Sequence, residues 1–135
     1  SDFRLIRSSL EISYGFTRFG RYAYDIALVR DMLGDLSECK NEMIYTLSGE
    51  IKHMIQLSVE CFATLDLQKA NELRTYEDLV DKYYNKHFPT LITSTNVKCA
   101  LADALVLRYM ERMADHAAFI GDSVNYIVTG KRNYR

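Results

Sequence analysis

A chain of 135 residues has room for one domain with a modest core. Hydrophobic residues make up 48% and charged residues 26%, with a formal net charge of −1, so nothing in the balance favours nucleic acid or an anionic membrane as a partner. Charges interrupt every apolar stretch, which excludes a bilayer-spanning segment, and the opening residues show no signal-peptide pattern.

The scarcity of proline and glycine, one and six residues, permits long helices. The first is predicted from about Phe3 to Leu33, with Gly34 as its stop. The second spans about Leu36 to Leu65, where Met43, Leu47, Ile51, Met54, Ile55, Phe62 and Leu65 form an apolar stripe. Asp66 is placed to cap a third helix, about Leu67 to Phe88, which ends where Phe88 precedes Pro89. Ser94 or Thr95 can cap a fourth, running to about Thr129 and stopped by Gly130, with a polar tail over Lys131–Arg135. At about 35 residues the fourth helix is roughly 50 Å long. Long helices with short connections predict an all-α, antiparallel bundle. Cys39, Cys61 and Cys99 lack the paired spacing of a zinc site and read as reduced helix residues of a cytoplasmic protein.

Two acidic pairs stand out. Glu77-x-x-x-Asp81 lies on the third helix and Glu111-x-x-x-Asp115 on the fourth. Like charges four apart repel by a few tenths of a kcal/mol. Each pair therefore faces water or has a positive partner, and that partner is either a metal ion or an arginine such as Arg108 or Arg112. Glu77 falls inside an apolar stripe with Ala70, Leu73, Val80 and Tyr84, whereas Glu111, Asp115, Asp122 and Arg108 line up along the fourth helix. Such a line is also what an ordinary solvated face looks like. The fourth helix echoes the first: Arg18, Ala23 and Ile26 recur as Arg112, Ala117 and Ile120, which suggests a duplicated unit.

Other chemistry has little support. Glu50-x-x-His53 matches half of a di-iron carboxylate signature, but the scaffold needs two such motifs. His116 projects away from the acid line, and His87 sits at a helix end; both read as packing residues. No Gly-x-Ser-x-Gly elbow and no glycine-rich phosphate loop is present. The ten tyrosines, Tyr134 among them, suit bundle packing or a protein-binding edge.

These motifs resemble the PhoU family of phosphate-uptake regulators. The segment Arg108-Tyr-Met-Glu111-Arg112-Met-Ala-Asp115-His116, followed by Val124 through Gly130, is similar to the family's final helix. Glu77-Asp78-Leu-Val80-Asp81 with Tyr83, Tyr84, Asn85 and Phe88 resembles the middle helix of its repeat, and Leu5 through Tyr14 the lead-in to the last helix of its first repeat. The resemblance implies two sequential three-helix bundles. Residues 1–34 would be the closing helix of a truncated first repeat, 35–130 the full second repeat, and 131–135 a tail. It also implies a carboxylate-bound metal cluster of iron or zinc, alternatively nickel or manganese, on Glu77, Asp81, Glu111 and Asp115. The chain departs from the family where Thr17 and Arg21 replace the acids of the first repeat, and at Phe119, where asparagine is common.

By resemblance the protein is a non-enzymatic, cytoplasmic adaptor of phosphate homeostasis. It would act through protein partners of the phosphate transporter and signalling system, touch the membrane only through that transporter, and bind no nucleic acid by this segment. The alternatives are a metal-free helical interaction module or a ferritin-like metal-binding bundle. Leu5, Ile6, Leu10, Phe16, Phe19 and Ile26 on the first helix need cover, from the second bundle or from another copy in a dimer.

Overall fold

The computed structural model of the chain describes residues 1–40 and 42–132. Among these residues four long helices carry the fold: α1 (Asp2–Leu33), α2 (Glu42–Thr64), α3 (Leu67–His87) and α4 (Val97–Thr129). A short 3₁₀ helix, Phe88–Thr93, follows α3 and takes Pro89 in its first turn, where proline costs no backbone hydrogen bond. The predicted tail at 133–135, with Tyr134, lies outside the described residues, as does Asn41.

Local chemistry sets most boundaries. The Ser1 side chain accepts from the Arg4 N–H at the start of α1, and Gly34 ends that helix at a φ of 80°. Asp66 caps α3 as expected, accepting from the N–H groups of Gln68 and Lys69. The cap of α4 is Asn96 rather than Ser94 or Thr95; its side chain accepts from the Cys99 N–H. Gly130 closes α4 in the left-handed region at φ 74°. The second helix starts six residues later than predicted. Leu36 and its neighbours instead form a turn in which the Ser37 N–H donates to Asp35 Oδ1 and the Cys39 N–H to the Leu36 carbonyl.

That turn overturns the expectation of three reduced helical cysteines. Cys39 sits in the connection, not in a helix, and is disulfide-bonded to Cys99 in the first turn of α4, with Cα atoms 5.5 Å apart. The two are 60 positions apart in sequence, so no local spacing announces the pair. Cys61 is a free thiol, fully buried in α2, where burial pushes its pKa up to about 11.

Helix α4 is the axis of the bundle and packs on all three others. The contacts fix the directions. Along α1, Arg4 reaches the Ile127 carbonyl, Gly15 meets Ile120 and Tyr22 meets His116, so α1 runs antiparallel to α4. Helix α3 does the same, with Ala70 against Gly121 at one level and Asp81 near Glu111 and Asp115 at another. Helix α2 runs antiparallel to α3: His53 packs on Tyr76 at one level and the Tyr83 hydroxyl donates to the Met43 carbonyl at another. The shared core contains Ile12, Leu47, Met54, Leu73, Leu107 and Ile120.

The apolar residues of α1 divide into two sets. Phe16, Phe19 and Ile26 join the core, whereas Leu5, Ile6 and Leu10, with Phe3, remain exposed.

A candidate carboxylate centre between two helices

The approach of α3 to α4 positions the site. A Cβ at Gly121 would lie 3.1 Å from Leu73 Cδ1 and 3.3 Å from both Cα and carbonyl oxygen of Ala70, so glycine lets the helices close here. Asp81 is 11 positions beyond Ala70 (81 − 70), and Glu111 is 10 positions before Gly121 (121 − 111). In antiparallel helices rising 1.5 Å per residue, these near-equal offsets bring the two acids level with each other.

Three of the four carboxylates singled out in the sequence converge. Asp81, Glu111 and Asp115 each present an oxygen such that all three lie within 4.8 Å of one another. Glu77 is not in this group. It is buried one turn away and lines, with Asp115, Tyr14, Arg112, His116, Phe119 and Asp122, an adjoining cavity of about 380 Å³.

Glu111, only 8% exposed, departs from the alternative of a solvated face for the acid line of the fourth helix, and Glu77, 9% exposed, is buried in keeping with its place in an apolar stripe. The cost shows in the titration of Glu111, whose pKa is pushed up to about 7. Burial is the main cause; the charge of Asp115 and a hydrogen bond shared with it add to the rise, Arg108 opposes it, and Asp81 adds a little more. Asp81 is raised as well, first by burial and then by Asp115 and Asp78. Bringing carboxylates together in a half-dry site favours holding a proton, or a cation in its place.

Arg108 and Arg112, the alternative positive partners, each pair with an acid of α4. Arg108 Nη1 donates to Glu111 Oε2 at 2.7 Å, and Arg112 lies 3.9 Å from Asp115. The cross-helix bridge is one the sequence did not suggest: Arg74 Nε donates to Asp122 Oδ1 at 2.8 Å. No local spacing announces it, because it depends on the register set at the Ala70–Gly121 contact. On the first helix, Thr17 donates to the Tyr14 carbonyl and Arg21 pairs with Asp25, so the equivalent level of α1 carries no acid pair.

Of the histidines, His116 lines the same cavity as Glu77 and Asp115, against the expectation that it projects away from the acids, whereas His53 and His87 do not line it. His116 is half-buried against Tyr22, and its pKa is lowered, by burial first and then by the Arg18 charge. His87 packs against Tyr83, and exposed His53 against Tyr76. Half of a ferritin-like motif on an exposed surface supplies no ligand to the centre.

The fold and site define a helical-bundle protein whose distinctive chemistry is a carboxylate cluster shared by two helices. Residues 44–124 match the PhoU domain, and the chain belongs to the PhoU family. It is 34% identical over 137 aligned positions to the phosphate-specific transport system accessory protein PhoU homolog of Synechocystis sp., covering 97% of this chain and 61% of that protein. The Clostridium acetobutylicum homolog is 27% identical, with 97% and 63% covered. The chain thus spans about three-fifths of the length of these relatives. Among solved structures, PhoU from Pseudomonas aeruginosa superposes with a TM-score of 0.86 at 26% identity, covering 96% of this chain and 66% of that one. The phosphate transport system regulatory protein PhoU from Streptococcus pneumoniae gives 0.90 at 18% identity, covering 99% and 66%, a likeness of fold.

Proposed function

We propose that this chain is the regulatory bundle of a phosphate-transport accessory protein, a non-enzymatic adaptor working in the cytoplasm through protein contacts with the transporter and its signalling partners. Support comes from family membership and from the names of relatives that align along almost the whole chain. In this reading α1 closes a first three-helix repeat and α2–α4 form the second. The exposed Phe3, Ile6 and Leu10 on α1, and the three-fifths coverage of the relatives, favour that division. The same apolar residues favour association of two copies. No helix among the described residues is long and apolar enough to cross a membrane, which fits contact with the membrane through the transporter alone.

The second element is a metal site on Asp81, Glu111 and Asp115, with Glu77 one turn away as a further oxygen donor. The observation that carries it is the approach of the three carboxylates to within 4.8 Å. An all-oxygen set suits hard or borderline cations such as iron or zinc, alternatively nickel or manganese. Bound there, a cation would neutralise the clustered charge and clamp α3 to α4. The metal-free alternative is favoured by one contact: the 2.7 Å bridge from Arg108 already supplies Glu111 with a positive partner.

A thermal-shift series on chelator-stripped protein with iron, zinc, nickel and manganese separates the two. A stabilisation that disappears in the Glu111→Ala/Asp115→Ala double variant supports the metal site. A shift that survives in that variant places the metal elsewhere, and no shift with any of the four supports the metal-free module.

A further inference from the structure

We propose that the Cys39–Cys99 disulfide is a reversible thiol–disulfide site, opened by low-molecular-weight thiols of the glutathione class, that ties the α1–α2 connection to the start of α4. Its placement differs from that of a cross-link holding a core together. Cys39 and Cys99 are themselves buried, each 9% exposed, but neither joins the hydrophobic core cluster, no residue of which lies between Gly34 and Glu42 among the described residues, and the connection carries no helix. Besides the disulfide, Glu38 ties the connection to α4: its Oε1 lies 3.2 Å from Lys98 Nζ and accepts from Asn96 Nδ2 at 3.3 Å. The Glu38 carboxylate is largely exposed, and contacts of this kind are weak in water. Opening the S–S bond therefore frees the connection while leaving the core packing in place.

The two sulfurs are unequal in a way that favours opening. Cys99 is the third residue of α4, its N–H held by the Asn96 cap, with Lys98 next to it. The positive end of the helix favours an anionic sulfur there, which makes Cys99 the better leaving group. A glutathione thiolate attacks Cys39 Sγ; the S–S bond breaks and its electron pair leaves on Cys99 Sγ. A second glutathione thiolate attacks the mixed disulfide at the glutathione sulfur, releasing oxidised glutathione and the Cys39 thiolate. The two protons from the consumed thiols end on the two cysteines. In all, one protein disulfide and two thiols give one protein dithiol and one oxidised glutathione, and excess oxidised glutathione runs the sequence backwards. Cys61 takes no part: it is fully buried, and its raised pKa leaves it protonated.

The test uses the unmodified chain in glutathione buffers, with alkylation read peptide by peptide so that Cys61 is an internal standard. Cys39 and Cys99 are expected to become alkylatable together in a hundred-fold excess of reduced glutathione and to close again in oxidised glutathione. Opening is expected to lower Tm by about 10 °C, the scale for releasing a loop of this length, with helical circular dichroism retained. Amide exchange over residues 34–40 and the first turn of α4 should accelerate at least tenfold, with α3 unchanged. A cross-link that survives the hundred-fold excess overturns the proposal in favour of a permanent staple. So does one that never forms in oxidised glutathione, or an opening that unfolds α3 along with the connection.

Discussion

Replacing Glu111 by glutamine isolates the electrostatic cost of the carboxylate cluster, because the amide keeps the shape and removes the charge. The Glu111 pKa rises from 4.5 to about 7 on folding, chiefly through burial and then through Asp115. A carboxyl group whose pKa is raised by folding contributes stability that is complete below its unfolded value. That contribution is lost as pH climbs through the folded value, here between 4.5 and about 7. At about 1.36 kcal/mol per pKa unit the ceiling is ~3 kcal/mol. Arg108, the compensating cation, is 47% exposed. Water therefore reaches the rim, and screening reduces the expected effect to about 1–2 kcal/mol. In metal-free buffer, Glu111→Gln should be more stable than the parent by that amount near pH 8. The difference should shrink steadily towards pH 4.5, where both side chains are neutral. Urea unfolding at several pH values reads it directly. A difference that does not change with pH, or a variant less stable than the parent at pH 8, would refute the account of Glu111 as a charge held under strain.

Gly121→Leu should cost about 2 kcal/mol despite the better helix propensity of leucine, because the new side chain meets Leu73 and the Ala70 backbone. It should also flatten the pH dependence of Glu111→Gln by letting water reach Glu111, whose pKa is raised chiefly by burial, and an unchanged urea midpoint would mean the helices part freely. Sedimentation over a wide concentration range should show reversible association of this chain, abolished by Leu10→Glu on the exposed face of α1. A clean monomer throughout removes the case for pairing through that face.

The helices were legible because their signals are local. Asp66 needs only the next three residues to cap α3, and Gly34 and Gly130 need only their own φ to end a helix. The start of α2 was not, since the Met43–Leu47–Ile51 stripe says nothing about a turn held by a cysteine 60 positions away. At the candidate site, helical spacing put Glu77 and Asp81 one turn apart, as it did Glu111 and Asp115. It could not tell whether those turns face each other or water. That was fixed by the Ala70–Gly121 approach, which brings Asp81 to Glu111 and Asp115, leaves Glu77 one turn off, and holds Arg108 on its own helix.

By itself, then, the sequence determined the all-α class, most helix ends, the family resemblance and the four acids, because periodicity, capping and motif spacing are properties of neighbouring residues. Tertiary structure alone decided which three acids meet, how deeply Glu111 is buried, and that Cys39 reaches Cys99. Those depend on the register and separation of helices that are distant along the chain. Burial and the convergence of like charges, which set the titration of Glu111, exist only once that register is formed.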